Sequence, residues 1–357
     1  MRKASRRQGT APTIVDVAQA AGVSPMTVSR VINAENNVRP STREKVHAAI
    51  AALDYAPNPA AQALAGMSQI RIAILYSNPS AAYLSEFLLG GLDQASRGNA
   101  QLIVEKCEPD DHEGDVARRL AAGGIDGLIL PPPLCDSARI LTALAETGTP
   151  AVAVASGREE GEVAIVSIDD YAAAYAMTSH IAALGHRRIG MILGHTNQTV
   201  SARRYAGYAA AMTAATLPIA DELVTQGLFT YQSGLDAAEQ LLDRADPPTA
   251  IFASNDDMAA ATVAVAHRRG LDVPGDLTVC GFDDTALATA IWPELTTIRQ
   301  PIAEMSRAAI GLLLDIIRRK RAGEGIVAPR RLMLEFALIR RQSDAAPRRR
   351  PAARPST

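Results

Sequence analysis

Hydrophobic and polar positions follow two different rhythms along this chain, and the change comes at Ile70. Before it, apolar residues recur at helical spacing. Thr13 precedes Asp16 by three residues in the manner of a capping box. Ile14, Val17 and Ala18 then make the apolar stripe of a helix, TIVDVAQAA, that Gly22 ends. Ser24 is a natural N-cap with Pro25 at the first helical position, and Val28, Val31 and Ile32 share one face of SPMTVSRVIN. The opposite face carries Met26, Arg30 and Asn33, flanked by Thr27 and Ser29. A third helix is predicted from Ser41, with Glu44 completing a second capping box, through Val46, Ala49, Ile50 and Leu53. Pro57 and Pro59 break it, and NPAAQALAG leads into the rest of the chain.

From Ile70 onward short apolar runs alternate with amphipathic stretches. IRIAILYS, QLIVEK, DGLILPP and PAVAVAS read as strands, with helices over 82–98, 112–122 and 136–147. RIGMILG, DELVTQG, TAIFAS and LTVCGFDD form a second series, with helices near 200–215, 232–244 and 255–269. Short β-rich runs between helices of this length imply parallel sheets covered on both faces. Two such series imply two similar subdomains, and open α/β sheets bind ligands at the carboxyl ends of their strands.

Composition agrees with a globular chain of two or three domains: 357 residues, 48% hydrophobic and 21% charged. The net charge of −2 conceals an asymmetry. Residues 1–69 carry 8 Lys+Arg against 4 Asp+Glu, residues 70–339 carry 22 against 33, and residues 340–357 carry 6 against 1. A basic head on an acidic body points to a polyanionic partner for the head. The Pro/Arg-rich tail from Arg340, RRQSDAAPRRRPAARPST, has the composition of a disordered extension. No apolar run reaches the roughly 18–20 residues of a membrane span, and the basic N-terminus lacks an apolar signal core, so a cytoplasmic location is expected. Cys107, Cys135 and Cys280 have neither zinc-ligand nor redox spacing. No metal or cofactor is expected.

Helix, glycine turn, helix and a third packing helix is the layout of a helix-turn-helix unit, whose second helix enters the DNA major groove by its N-terminal end. Arg30 can then donate a bidentate pair to guanine O6 and N7, and Pro25 and Met26 can pack on thymine methyls. Thr27, Ser29 and Asn33 are placed for phosphates or base edges. The body offers no dinucleotide or P-loop fingerprint, no nucleophile elbow and no H-E-x-x-H motif. His186, where a helix ends before a strand, reads as part of a capping cluster. Polar residues gather instead after strands: Asn255, Asp256 and Asp257 after TAIFAS, Asp283 and Asp284 after LTVCGF, Arg203 and Arg204 after RIGMILG, and Phe229 after ELVTQGL. Carboxylate, amide and guanidinium around an aromatic ring suit a polyhydroxylated ligand. From the residues alone, helix capping by Asp256 and Asp284 is an equal alternative. A competing class, an enzyme with Asp257 and Asp283 as an acid/base pair, is opposed by the absence of any accompanying nucleophile or cofactor motif and by a head that would be idle.

The run TIVDVAQAAGVSPMTVSRVIN with VRPSTREKVHAAIAALDYAPN closely resembles the DNA-binding domain of the LacI/GalR family of transcription regulators. GHRRIGMILG, the Arg204–Tyr208 motif, SNDDMA, GFDD and ELTTIRQP resemble its effector-binding domain, itself similar to periplasmic sugar-binding proteins. The resemblance implies an α + α/β protein: a disordered arm (1–12), a helix-turn-helix head (13–57), a hinge helix or linker (58–69), a body of two doubly wound parallel-sheet subdomains (70–339) and the tail (340–357). It implies a homodimer on double-stranded operator DNA, most simply a repressor. A small carbohydrate-like effector would control it, without enzymatic activity or membrane attachment. The DNA-contact candidates are Thr13, Ser24, Pro25, Met26, Thr27, Ser29, Arg30 and Asn33, with Leu64 as a minor-groove wedge. Carried over, the effector contacts are Arg204, Asn255 and Asp283 with Phe229 as the stacking ring, joined by Asn78 and Tyr83 from YSNPSAAY. Two departures stand out. Gln62 occupies a position where the family often has arginine, and Ala155-Ser156 stand where some sugar-binding members place an aspartate.

Overall fold

The computed structural model describes residues 12–32, 38–55, 69–108, 112–158, 163–324 and 330–348. Asn33, Leu64, almost all of the predicted arm and hinge, and the tail beyond Arg348 lie outside the described residues. The chain divides into two units, Met1–Gln69 and Ile70–Thr357.

In the first unit α1 (Ile14–Ala21), α2 (Pro25–Ile32) and α3 (Pro40–Leu53) enclose a small core of Val17, Ala18, Val28, Val31, Val46 and Ala49. Thr13 N–H donates to Asp16 Oδ2 at 2.8 Å and Asp16 N–H donates to Thr13 Oγ1 at 3.4 Å, forming the capping box. Gly22 closes α1 at φ 66, a left-handed conformation that a Cβ would strain. Ser24 Oγ accepts from Thr27 N–H at 3.2 Å and so starts α2. The third helix corrects the sequence reading. It begins at Pro40, Arg39 occupies the cap position without a side-chain bond, Ser41 lies inside the first turn and Glu44 beyond it. Proline needs no donor there and brings a helical φ, which moves the start upstream of the serine.

The second unit contains two six-stranded sheets. The first uses β1 (Ile70–Tyr76), β2 (Ala100–Lys106), β3 (Gly127–Leu130), β4 (Ala151–Val154), β5 (Ala164–Ser167) and, near the C-terminus, β11 (Arg331–Met333). Its order is β11-β5-β4-β3-β1-β2, and every pairing is parallel. The second sheet uses β6 (Ile189–Leu193), β7 (Val224–Gln226), β8 (Ala250–Ala253), β9 (Thr278–Asp283), β10 (Thr296–Arg299) and β12 (Ala337–Ile339). Its order is β12-β10-β9-β8-β6-β7, with only the β10–β12 pairing antiparallel. Strands β3, β4 and β8 are buried throughout, as strands covered on both faces must be.

The two series are not independent halves read in order. The chain crosses between subdomains after β5, after β10 and between β11 and β12. After the first crossing α7 (Asp170–Ala183) packs in the second subdomain. After the second, α12 (Ile302–Arg321) returns to pack on α4 (Ala81–Arg97) and strands β3 to β5. The crossing strands β5, β10, β11 and β12 are absent from the two series predicted above, since they lie outside the simple strand–helix alternation of each series.

The predicted disordered tail is also corrected over its described part. Ser343 and Asp344 are buried, and Val279 N–H donates to Ser343 O at 2.9 Å. Asp344 Oδ2 lies 2.8 Å from His180 Nε2, and its other oxygen accepts from the Thr296 hydroxyl. His186, read as part of a capping cluster, instead lies between Thr249 Oγ1 at 2.9 Å and Ala345 O at 2.8 Å. Burial holds its pKa below the ordinary histidine value. Specific partners for polar groups, rather than hydrophobic content, bind this Pro/Arg-rich segment to the second sheet. Asp344→Ala leaves Thr296 and His180 without their acceptor and is expected to cost about 2–4 kcal/mol in urea unfolding. A loss under about 0.5 kcal/mol would show that the strap does not support the body.

Candidate functional site

The carboxyl ends of the two sheets face a cleft to which both subdomains contribute. Asn78 and Tyr83 reach it from the loop and helix after β1, Arg204, Phe229 and Asn255 from elements after β6, β7 and β8, and Asp283 from the last position of β9. All six effector candidates therefore line one space. Ser80, Gln198 and Gln300 join them. Ser80 and Gln300 lie within the stretches YSNPSAAY and ELTTIRQP singled out above, whereas nothing in the local pattern marks Gln198.

Arg204, on α8 (Thr199–Ala214), is 3% exposed and so must find its partners within the protein. Its Nε donates to Asp170 Oδ1 at 2.8 Å, and a terminal nitrogen donates to Ser254 O. Its guanidinium carbon lies 3.6 Å from the centroid of the Phe282 ring and 5.8 Å from that of Phe229. Burial raises the Asp170 carboxyl above its ordinary value while Arg204 pulls it back. The cation is thus already matched by a carboxylate.

Phe229 and Asp283 are held in left-handed backbone conformations, at φ 61 and 111, as are the lining residue Ala155 (φ 54) and the neighbouring Asp284 (φ 57). Such strain persists only where the surroundings enforce it. At Phe229 Asn255 Nδ2 donates to the backbone carbonyl at 3.0 Å, and the ring lies so close to Gly194 that any Cβ there would collide with it. At Asp283 Gln300 Nε2 donates to Oδ1 at 2.6 Å. At Asp284 Arg299 Nε and Arg341 clasp the carboxylate, the first at 2.6 Å. Capping turns out differently from the sequence alternative. Asn255, not Asp256, caps α10 (Asp256–Arg268) by accepting from Met258 N–H at 3.0 Å, and Asp284 serves as an ion-pair partner. Asn255 therefore spends its oxygen on the helix and its amide on the Phe229 loop.

Two polar atoms are left over. Among the described residues the Tyr83 hydroxyl and Gln300 Oε1 are buried without a hydrogen-bond partner, and both residues line the cleft. Each such orphan costs about 1–3 kcal/mol until something pairs with it. Burial, reinforced by Asp283, drives the Tyr83 hydroxyl well above its ordinary pKa, so it remains a neutral donor. Burial also holds the Asp283 carboxyl well up, with Arg204 opposing. Asp257 is engaged across the cleft, where its Oδ2 accepts from Ser80 Oγ at 2.6 Å. A second cross-cleft contact is made by Asp136 Oδ2, which accepts from both the N–H and the hydroxyl of Thr199 at 2.8 Å.

On the head, Thr13, Ser24, Pro25, Met26 and Arg30 are exposed, and Thr27 and Ser29 are half-buried beside them. Met26 is 64% exposed, an uncommon amount for methionine on a helix whose other face holds the core.

Residues 13–58 match the model of bacterial regulatory proteins of the lacI family, and residues 178–343 match the periplasmic binding protein-like domain. Catabolite control protein A of Priestia megaterium is 33% identical over 317 residues, which cover 88% of this chain and 95% of that protein. The chain belongs to the LacI family. The transcriptional regulator CelR of Thermobifida fusca is 35% identical, covering 93% of this chain and 98% of that protein. A lac repressor dimer bound to operator and the anti-inducer ONPF matches with a TM-score of 0.76 at 29% identity, over 94% of this chain and 100% of the other. This LacI-family protein is a DNA-binding transcription regulator under ligand control, in a family of regulators rather than enzymes. No helix among its described residues is long and apolar enough to cross a membrane.

The buried carboxyls give this LacI-family body a characteristic pH response. Burial pushes Asp256 up to about 7 although Thr285 and Thr297 donate to it. A folded-state pKa above the unfolded 3.8 means the native state keeps a proton that the unfolded chain loses. That stabilisation is present at acid pH and is lost as pH rises from about 4 towards 7. Asp170 and Asp283 act with the same sign. His186, held below its ordinary value, acts in the opposite sense over the same window, so the comparison is with a variant. In urea unfolding at pH 5 and pH 7, Asp256→Asn should gain stability relative to wild type as pH rises, and an unchanged difference would contradict the assignment.

Proposed function

We propose that this LacI-family regulator is a dimeric repressor controlled by an uncharged polyhydroxylated effector, a sugar or sugar derivative, held in the cleft between the two subdomains. The observation that carries this reading is the pairing of two orphaned polar atoms, on Tyr83 and Gln300, with an aromatic face and a cation already neutralised by Asp170. Vicinal hydroxyls can donate to Gln300 Oε1, accept from the Tyr83 hydroxyl and bridge Asp283, while Phe229 stacks on the apolar face of the ring. A phosphorylated or carboxylated effector would find Arg204 already spent, since its charge is offset by a carboxylate 2.8 Å away. The cellobiose complex of CelR, a 32% identical structure, gives a precedent of the same ligand class in a relative. Ala155, where an aspartate stands in some sugar-binding relatives, argues against a contact of the lactose kind at that position.

Effector binding acts by favouring one arrangement of the two subdomains, and it can shift operator affinity only by its differential affinity for the two arrangements, typically about 1–3 kcal/mol. On the DNA side, Pro25, Met26 and Arg30 lead α2 into the major groove, with Thr13, Ser24, Thr27, Ser29 and Asn33 on phosphates or base edges. Leu64 is the minor-groove wedge. Paired heads would read half-sites about one helical turn apart.

Asp283→Ala is expected to abolish the response of operator binding to the effector while leaving operator affinity intact, measured by fluorescence anisotropy against a panel of neutral mono- and disaccharides. A normal dose response would remove Asp283 from the site. Arg30→Ala should cost about 1–3 kcal/mol at one base position and relax selectivity there. A uniform loss across all sequences would make it a phosphate contact.

A further inference from the structure

All strands of the first sheet are parallel, so their N-terminal ends share one edge: Ile70, Ala100, Gly127, Ala151, Ala164 and Arg331. Helix α12 runs antiparallel to them and delivers its last turn, Arg318-Arg319-Lys320-Arg321, to the same edge. Hydrogen bonds fix the placement. An Arg318 terminal nitrogen donates to Gly98 O at 3.0 Å, Lys320 Nζ to Gly148 O at 2.6 Å, and Arg321 to Asp126 at 2.7 Å, all in loops leading into strands. Arg71 donates to Gly123 O and Gly124 O beside them, and the exposed Arg330 immediately precedes β11. Of these six cations, Arg321 has a carboxylate partner, whereas Arg318, Lys320 and Arg71 meet backbone carbonyls and, among the described residues, no carboxylate. Arg318, Arg319 and Lys320 are exposed. This basic edge belongs to a body whose residues 70–339 carry 22 Lys+Arg against 33 Asp+Glu.

The DNA-binding head is joined to the body at this edge, since Ile70 opens β1 there. Only 14 residues separate Tyr55, just past α3, from Ile70, so the linker spans at most about 50 Å. A tether of that length keeps the edge at an effective concentration near the millimolar range about a duplex that the head holds.

We propose that the basic edge formed by Arg318, Arg319 and Lys320, with Arg71 and Arg330, is a second DNA-contact surface that engages backbone phosphates of the duplex held by the head. It rests on the DNA-binding role of the head and adds affinity without sequence information, because cations on phosphates release counterions and read no bases. Dimerisation would present the edge twice along one duplex.

The test uses the full chain and a 40-bp duplex carrying the operator that the wild-type protein selects from a random pool. Log Kd is measured against log[KCl] for wild type and for Arg318→Gln/Arg319→Gln/Lys320→Gln. Each lost phosphate contact lowers the slope by about 0.9, so the triple variant is expected to lose at least about one unit of slope with unchanged base preference. A slope within about 0.3 of wild type would overturn the proposal. If the triple variant melts early, Arg319→Glu decides. Arg319's side chain makes no hydrogen bond or ion pair among the described residues, and this charge reversal must still weaken binding at least threefold at low salt. Full wild-type affinity in that variant would also overturn the proposal. Failure of the wild-type chain to select any duplex would strike the DNA-binding reading itself, and the proposal with it.

Discussion

A guanidinium with almost no access to water cannot be left to find its own partners, and the placement of Arg204 constrains most of the second subdomain around it. Asp170, which opens α7 immediately after the chain crosses from β5, supplies the counter-charge. Ser254, at the end of β8, supplies a carbonyl, and Phe282, at the end of β9, supplies the ring beneath. One side chain thereby ties a helix and the ends of two neighbouring strands to the first crossover. Removing one member of such a pair leaves an uncompensated buried charge, which is why the arrangement behaves as a unit. The same bonds leave at the cleft a cation whose charge is already matched by a carboxylate.

The crossovers tie the two subdomains together, and the head is joined in sequence to the first of them. Helix α12 and β11 belong to the first subdomain but are reached through the second, and β12 with the strap to Asp344 returns to the second. The two subdomains are therefore joined by short connections between packed sheets. Asp136–Thr199 and Ser80–Asp257 bridge the cleft directly, so closing it and binding in it involve neighbouring groups. Arg341 extends the linkage further: it grips Asp284, next to Asp283, from the base of the C-terminal strap.

Much of this was legible in the sequence where local chemistry decides the structure. Thr13, Gly22 and Ser24 mark helix ends through bonds made within a few residues, and the long apolar strands β1, β2 and β9 announce themselves by length. The elements that escaped are those whose stability comes from far away. Strands β5, β10, β11 and β12 are three or four residues long and exist because a neighbouring strand offers a ladder. The segment around Ser343 and Asp344 looked disordered because its order depends on Val279, Thr296 and His180, up to 164 residues away. The site divides in the same way. Arg204, Phe229, Asn255 and Asp283 stand out as polar or aromatic residues just after strands, but that Asp170 neutralises Arg204 and that Gln300 holds Asp283 follows only from the fold.

The central claim is that the buried Arg204–Asp170 pair organises the effector site. A double-mutant cycle on unfolding free energy tests it most directly, using Arg204→Met, Asp170→Leu and the combination. Each single change should cost about 3–5 kcal/mol because it strands a buried charge, and the double variant should recover most of that loss. Additive losses, or single changes costing under about 1 kcal/mol, would contradict the account.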